Sequence, residues 1–291
     1  METRAAEGGG RRLWLRNRMV HLRRRLGLDR RDTSGLAWLF LATLPNSGSA
    51  AFANLLGSAP HAAKLHRRGE GQWLVPELSA PARRWNPDAP VDFALVRSVW
   101  LDRALSLGPG PRLVVEKSPP NICRLRPLVA AFADMPIRVV RFTRDPYAVC
   151  ASWAKRYDPA RMAEVWGETL ADPEDATGFH RRLGEICGRR MALLASLADV
   201  SDADVAYEAL ADDPAAVLAR LVTAVPLLAG ADPAAVVKVK DYAPQPLRNM
   251  NREQIARLTP AEKAAITEGL RPHAAAIKAL GYALDDEPVE A

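Results

Sequence analysis

Leu36-Ala-Trp-Leu-Phe-Leu-Ala-Thr43, followed at once by Leu44-Pro-Asn-Ser-Gly-Ser-Ala50, is the stretch that decides how this chain folds. The first segment is apolar up to its last residue, with no polar alternation. A strand buried on both faces needs that pattern, and such strands belong to parallel sheets. A turn containing glycine then opens onto Ser49 to Leu56, a run of helical composition. Strand, glycine turn and helix form one unit of a wound α/β sheet.

The unit recurs twice. Arg112 to Glu116 reads as a short strand, Ser118-Pro-Pro-Asn121 as a turn, and Ile122 to Ala133 as a helix. Ile137 to Thr143 reads as a strand and Asp145 to Tyr157 as a helix, with Asp145 suited to the N-cap and Pro146 to the first helical position. Three such units predict the α/β class, a central parallel sheet with helices on both faces. Ligands of such sheets bind at the carboxyl ends of the strands, where the three turns gather. Further on, Phe179 to Leu197 is a long helix candidate and Ala203 to Tyr207 a last strand. Pro214 to Val225 and Pro233 to Lys240 read as short helices, and Thr259-Pro-Ala-Glu262 has the capping-box spacing that opens a helix running to about Leu280. Residues 66–95, rich in Pro, Arg and Trp, read as an irregular loop over the site.

Composition sets the class. The chain has 291 residues, 48% of them hydrophobic and 25% charged, as in ordinary globular proteins. No apolar run reaches the length of a membrane span. The net charge of +6 is local: residues 1–32 carry ten arginines against Glu2, Glu7, Asp29 and Asp32, and the remainder is balanced. The basic character therefore belongs to an arm, residues 1–35, and no nucleic-acid partner is expected. Residues 36–284 form the domain and residues 285–291 an acidic tail. Within the arm, residues 1–10 read as a disordered tail. Residues 11–28 read as a helix with Leu15, Met19, Leu22 and Leu26 on one face and arginines filling the rest. That helix either lies peripherally on an anionic membrane surface or docks on the domain or on a partner, with its arginines solvated. Arginines interrupt the apolar pairs of the first residues, so no secretory signal is read. Cys123, Cys150 and Cys187 are odd in number and lack a CxxC pair, which argues against a disulfide framework and a zinc cluster and for a reducing, cytoplasmic setting.

Two segments carry the chemistry. The turn Pro45, Asn46, Ser47, Gly48, Ser49 and Ala50 is a phosphate-loop candidate. Backbone N–H groups at a glycine turn entering a helix converge on one spot, and the helix dipole favours an anion there. It is not a Walker A loop, because GxxxxGK[ST] is missing. In Arg144-Asp-Pro-Tyr-Ala-Val-Cys-Ala-Ser152 the arginine ends a strand and the serine lies two turns into the next helix. A guanidinium fork and a hydroxyl at that spacing suit one phosphate.

Together these segments resemble the sulfotransferase family, in its bacterial type. That family joins P-[KR]-S-G-[ST]-[ST] to a later strand–R-D-P-helix with a serine eight residues after the arginine. Val115-Glu-Lys-Ser-Pro-Pro-Asn121, Tyr207-Glu-Ala-Leu-Ala-Asp-Asp-Pro214, and the ending from Leu258-Thr-Pro-Ala-Glu262 through Leu280-Gly-Tyr282 also look like family stretches, in family order over residues 38–283. The resemblance implies a three-layer, P-loop NTPase-like sulfotransferase fold. It implies 3′-phosphoadenosine 5′-phosphosulfate as co-substrate, no metal, and transfer of a sulfuryl group to a hydroxyl, or less often an amine, of a glycan, lipid or small metabolite. Ser47, Gly48 and Ser49 would hold the 5′-phosphosulfate, and Arg144 and Ser152 the 3′-phosphate. Arg248, in Pro244-Gln-Pro-Leu-Arg248, is a further candidate cation for that phosphate.

Two departures matter. Asn46 stands where the family has Lys or Arg, and Ala50 where it has Ser or Thr. The missing cation would stabilise charge on the oxygen bridging sulfur and phosphorus, a contribution of the kind worth ~10²–10³ in rate. Lys117, at a strand end beside the first loop, or an arginine of residues 66–84 supplies it, and the enzyme works. Otherwise the protein binds the nucleotide without transfer, or the domain serves a membrane-surface scaffold. For the general base, Glu70 in His66-Arg-Arg-Gly-Glu70 resembles the family's G-E after the first helix, with Glu116 and His66 as the other candidates. Trp73, Trp85, Trp100, Trp153 and Trp166 either line an acceptor groove or fill the core.

Overall fold

The structure is a computed structural model that describes residues 15–23, 25–27, 32–108, 112–166, 176–236 and 246–285. β1 (Leu36–Thr43) is buried along its whole length, as its unbroken apolar run requires. It lies at the centre of a five-stranded sheet with β2 (Ala62–Lys64), β3 (Arg112–Glu116), β4 (Ile137–Thr143) and β5 (Ala203–Ala206), in the order β2-β3-β1-β4-β5. Every pairing is parallel, and Phe40 of β1 stands opposite Glu116 on one side and Val139 on the other.

Successive β1 side chains point to opposite faces and enter two separate cores. Trp38, Phe40 and Ala42 join the larger one, with Trp100 of helix Phe93–Leu105, Trp153 of helix Pro146–Arg156 and Leu183, Ile186 and Met191 of helix Ala176–Ala195. Ala37, Leu39 and Leu41 join the other, with Phe52 and Leu56 of helix Ser49–Leu56 and Leu218 and Leu221 of helix Pro214–Ala224. The molecule is thus a three-layer α/β structure with helices on both faces of a parallel sheet, as the sequence predicts. On the larger face helix Ala176–Ala195 meets helix Pro260–Leu270 backbone to backbone. A Cβ on Gly184 would fall 2.3 Å from the Ile266 carbonyl oxygen, and one on Gly269 2.1 Å from that of Arg181, so both positions require glycine.

The caps match as well. Asp145 accepts from Ala148 N (2.9 Å) ahead of Pro146, and Thr259 and Glu262 form the reciprocal capping box. Elsewhere proline rewrites the expected elements, because it lacks the N–H a helix interior needs. The helix expected from Ile122 to Ala133 is a 3₁₀ turn, Pro119–Cys123, followed by a short helix, Leu125–Ala130, with Pro127 in its first turn. The helix expected to run to Leu280 breaks at Arg271–His273, around Pro272, and resumes as Ala274–Ala279. Residues 66–95 hold a 3₁₀ turn, Gly71–Leu74, and two one-turn helices each started by proline, Pro76–Ser79 and Pro81–Arg84. Pro233 to Val236 are turn and coil rather than helix, and residues 237–240 lie outside the described residues, as do residues 1–10 and 286–291. Tyr207 opens helix Tyr207–Asp212 instead of ending β5. The three cysteines are free thiols, and among the described residues no helix is long and apolar enough to cross a membrane.

From β1 the chain runs outward to the edge strand β2 and returns through β3, then crosses to the other side of β1 as β4. That reversal makes the carboxyl ends of β1 and β4 a topological switch point, the usual place for a ligand in such sheets.

Candidate active site

The loop after β1 is held in a conformation few residues tolerate. Asn46 has φ 59 and Gly48 φ 89, both left-handed. Asparagine is among the few side chains that accept this region at modest cost. At Gly48 a Cβ would fall 2.5 Å from the Tyr207 ring, so nothing larger than glycine fits. Ser47 donates to the Leu44 carbonyl (2.8 Å) and shares a hydrogen bond with Thr43 Oγ1 (2.7 Å), so its buried hydroxyl locks the loop from within. Gly48 provides no side-chain cap to helix Ser49–Leu56. The first N–H groups of a helix have no partner within it and carry the positive end of its dipole, which suits an anion in front of Ser49 and Ala50.

Arg144, at the end of β4, reaches across the switch point. Its Nη1 donates to the Asn46 carbonyl (3.0 Å) and its Nε to Asn251 Oδ1 (2.8 Å). Its guanidinium carbon lies 4.2 Å over the Tyr207 ring, a cation–π contact. Trp153 adds a second tie between the two segments, donating through Nε1 to the Pro45 carbonyl (3.0 Å). Ser152 is half-buried on helix Pro146–Arg156.

Behind Arg144 stands a network drawn from three distant parts of the chain. Glu208 Oε1 accepts from Asn251 Nδ2 (2.6 Å) and from Asp145 N (3.0 Å), and its Oε2 accepts from the Tyr282 hydroxyl (2.8 Å). Burial and the Glu208 charge push the Tyr282 pKa far above the ordinary phenol value, so it remains a donor. Burial also raises the Asp145 carboxyl, with the Ala148 N–H opposing. The Tyr207 hydroxyl donates to the Arg248 carbonyl (2.8 Å) and accepts from Met250 N (3.2 Å), tying down the segment that carries Asn251. The Arg248 side chain is exposed and pairs with Glu253 (3.1 Å).

On the β3 side, Lys117 Nζ and Glu70 Oε1 form an ion pair of 2.5 Å. Glu70 Oε2 accepts from Gln72 Nε2 and Trp73 Nε1, each at 2.8 Å. Burial disfavours the Glu70 charge, but the Lys117 ammonium and these hydrogen bonds outweigh it and hold the carboxyl below its usual range. Glu116 is wholly buried and accepts from Gly71 N (2.7 Å), Ser118 N (2.8 Å) and Asn121 Nδ2 (3.2 Å). Burial pushes its pKa up to about 7, against those hydrogen bonds. It joins the two turns that present Glu70 and Lys117 and lies inside them. His66 is half-buried; burial lowers its pKa against the pull of Glu70 and keeps the imidazole neutral near pH 7. A second cation stands nearby. Lys64 of β2 donates to Asn54 Oδ1 (2.5 Å), and burial and the Lys117 charge lower its pKa.

The structure brings Pro45, Asn46, Gly48 and Arg144 into one cluster and Glu70 and Lys117 into another. Trp100, Trp153 and Trp166 are core, whereas Trp73 and Trp85 are half-buried and carry stacked guanidinium groups: Arg84 lies 4.7 Å over Trp73, and Arg190 3.6 Å over Trp85. A shallow open depression lined by Gly35, Leu36, Met135 and Pro136 sits at the opposite, amino-terminal end of the strands, away from these turns. Sequence reasoning quoted the segments holding Tyr207, Glu208 and Tyr282 without giving those side chains a task. Asn251 and Lys64 carried no signal, one because it lies outside any motif and the other because the three-residue β2 is too short to read.

No protein-family model and no curated protein sequence matches the chain. Among solved structures, the sulfotransferase STF9 from Mycobacterium avium is similar over 83% of this chain and 69% of its own, at 14% identity and a TM-score of 0.46. The sulfotransferase domain of the Synechococcus PCC 7002 olefin synthase is similar over 87% and 96%, at 18% identity and 0.44. The sulfotransferase domain from the curacin biosynthetic pathway covers 75% and 96%, at 15% identity and 0.41.

Proposed function

We propose that this protein is a sulfotransferase-type enzyme that binds 3′-phosphoadenosine 5′-phosphosulfate across the ends of β1 and β4 and moves its sulfuryl group to a hydroxyl or amine. The observation that carries this is the direct joining of the glycine loop to the β4 arginine, Arg144 to the Asn46 carbonyl at 3.0 Å. Two anion sites so joined fit one ligand with two separated phosphate groups. The helix start at Ser49 and Ala50 would take the 5′-phosphosulfate, and Arg144 with Ser152 the 3′-phosphate. In the transfer the acceptor oxygen or nitrogen attacks sulfur in line, the bond from sulfur to the bridging oxygen breaks, and 3′-phosphoadenosine 5′-phosphate leaves with that electron pair. The acceptor gives up one proton, to Glu70 or through neutral His66. The acceptor class is a glycan, lipid or small metabolite.

A second reading is favoured by a specific observation. Asn46 carries no charge, and Lys117, the cation expected to replace it, is paired with Glu70. A protein so arranged binds the nucleotide and transfers slowly or not at all.

Calorimetric titration of the full chain with 3′-phosphoadenosine 5′-phosphate, 5′-AMP and ADP tests the nucleotide site. The bisphosphate should bind at least about tenfold tighter than AMP, the worth of a charge-assisted phosphate contact. Arg144→Ala should erase that preference, and Ser152→Ala, which leaves the Arg144 network intact, should reduce it. Equal binding of all three nucleotides by a folded wild type would sink the proposal.

A further inference from the structure

The N-terminal helix is docked on the domain by one face and bare on the other. Residues 15–23 and 25 are helical. Val20 is 2% exposed and belongs to the larger core, Arg16 pairs with Asp102 (2.6 Å), and Asn17 donates to the Leu74 carbonyl (2.9 Å). At about 100° per residue these three side chains span one sector of the helix. Leu15, Met19, Leu22 and Leu26 lie on the opposite side, exposed by 55%, 54%, 48% and 61%. Among the described residues these are four of the six exposed large hydrophobic side chains, gathered in one stripe. The exposed Arg18 and Arg25 flank the stripe on one side, and Arg23 flanks it on the other.

We infer that this stripe is a docking surface for an anionic lipid membrane. Four apolar side chains in line, bordered by arginines, match a helix lying in the plane of a lipid interface. Charge selects the occupant. The segment from residue 1 to 32 holds the whole net charge of the chain, +6, and an anionic headgroup layer attracts such a segment by roughly 1 kcal/mol per arginine. A second copy of the same stripe would bring like charges together instead. The docked face leans on Leu74 of the turn Gly71–Leu74, directly after Glu70, so the helix would stand between a bound membrane and that turn. The surface is independent of which reaction the domain performs.

Because Val20 is part of the core, deleting the arm would confound docking with folding, and substitutions on the bare face are the cleaner probe. The full chain is sedimented with phosphatidylcholine vesicles and with vesicles of three parts phosphatidylcholine to one part phosphatidylglycerol. Wild type should partition into the anionic vesicles at least about tenfold more than into the neutral ones, and added salt should reduce the difference. Met19→Glu together with Leu22→Glu should lower anionic partition at least about tenfold while unfolding at the wild-type temperature. Equal partition into both vesicle types, no partition, or partition unchanged in the double variant would overturn the inference. A dimer that the double variant abolishes, with no vesicle binding, would assign the stripe to a second copy and overturn it as well.

Discussion

The turns after β4 and β3 each present a buried cation near the loop after β1, but they hold it differently. Two of Arg144's hydrogen bonds go to neutral oxygens, the Asn46 carbonyl and the Asn251 amide, and its face lies on the Tyr207 ring. Lys117 is closed onto a carboxylate, Glu70. Neutral partners orient a guanidinium without neutralising it, whereas a carboxylate at 2.5 Å cancels most of an ammonium's field. On the proposed reading, the β4 side is the one suited to a phosphate. The β3 side, where the transferred group would sit, is self-neutralised. Binding and transfer have separate structural requirements here, and they need not stand or fall together.

Restoring the missing cation tests that division most strongly. Asn46→Lys should raise release of 3′-phosphoadenosine 5′-phosphate from its phosphosulfate, assayed with a panel of hydroxyl and amine acceptors, by up to ~10²–10³ if the loop lacks only charge. The left-handed backbone at Asn46 should make the substitution cost about 1–2 kcal/mol of stability. If the rate does not rise and the wild type already turns over, the charge comes from elsewhere, and Lys117 does more than its pairing with Glu70 suggests.

The contrast between the two sides also marks what the sequence could reveal. The ends of β1, β3 and β4, the helix start at Ser49 and the cap at Asp145 were legible because each depends on local physics: an apolar run, a glycine turn, a proline at the first helical position. Gly48 and Arg144 were legible for the same reason. The pairing of Lys117 with Glu70 was not, since 47 residues separate the partners and their turns are joined by tertiary contacts, Gly71 N to Glu116 and Gln72 N to Ser118 among them. Glu208, Asn251 and Tyr282 converge on Arg144 from segments 43 and 74 residues apart, and no periodicity encodes that meeting. The same holds for the N-terminal helix. Its apolar stripe was readable, but the burial of Val20 on the other face was not.

The β3 side makes a further prediction through Glu116. Its pKa is about 7 when folded and near 4.5 when unfolded. Between those values the unfolded chain is ionised while the folded one holds its proton, so unfolding releases a proton and stability falls as pH rises. Relative to Glu116→Gln, the wild type should lose on the order of 3 kcal/mol from pH 4.5 to 7 and then level off, measured by urea denaturation. Parallel curves for the two proteins would mean that the N–H donors of Gly71, Ser118 and Asn121 suffice to keep the carboxylate ionised. The β3 turns would then be built around a permanent charge.

The smallest effect belongs to the β4 side. Glu208 accepts from Asp145 N beside Arg144 and also holds Asn251, and Asn251 holds Arg144. Glu208→Gln keeps the shape and replaces one acceptor with a donor, set among the Asp145 N–H, the Asn251 amide and the Tyr282 hydroxyl. If Glu208 acts by positioning Arg144, affinity for the bisphosphate should fall about tenfold, near the ~1.4 kcal/mol of one well-placed hydrogen bond, with AMP binding unchanged. A variant that loses both nucleotides equally, or only stability, would make Glu208 a packing residue. Arg144 would then owe its orientation to Tyr207 and the Asn46 carbonyl, and the β4 side would be simpler than its hydrogen bonds suggest.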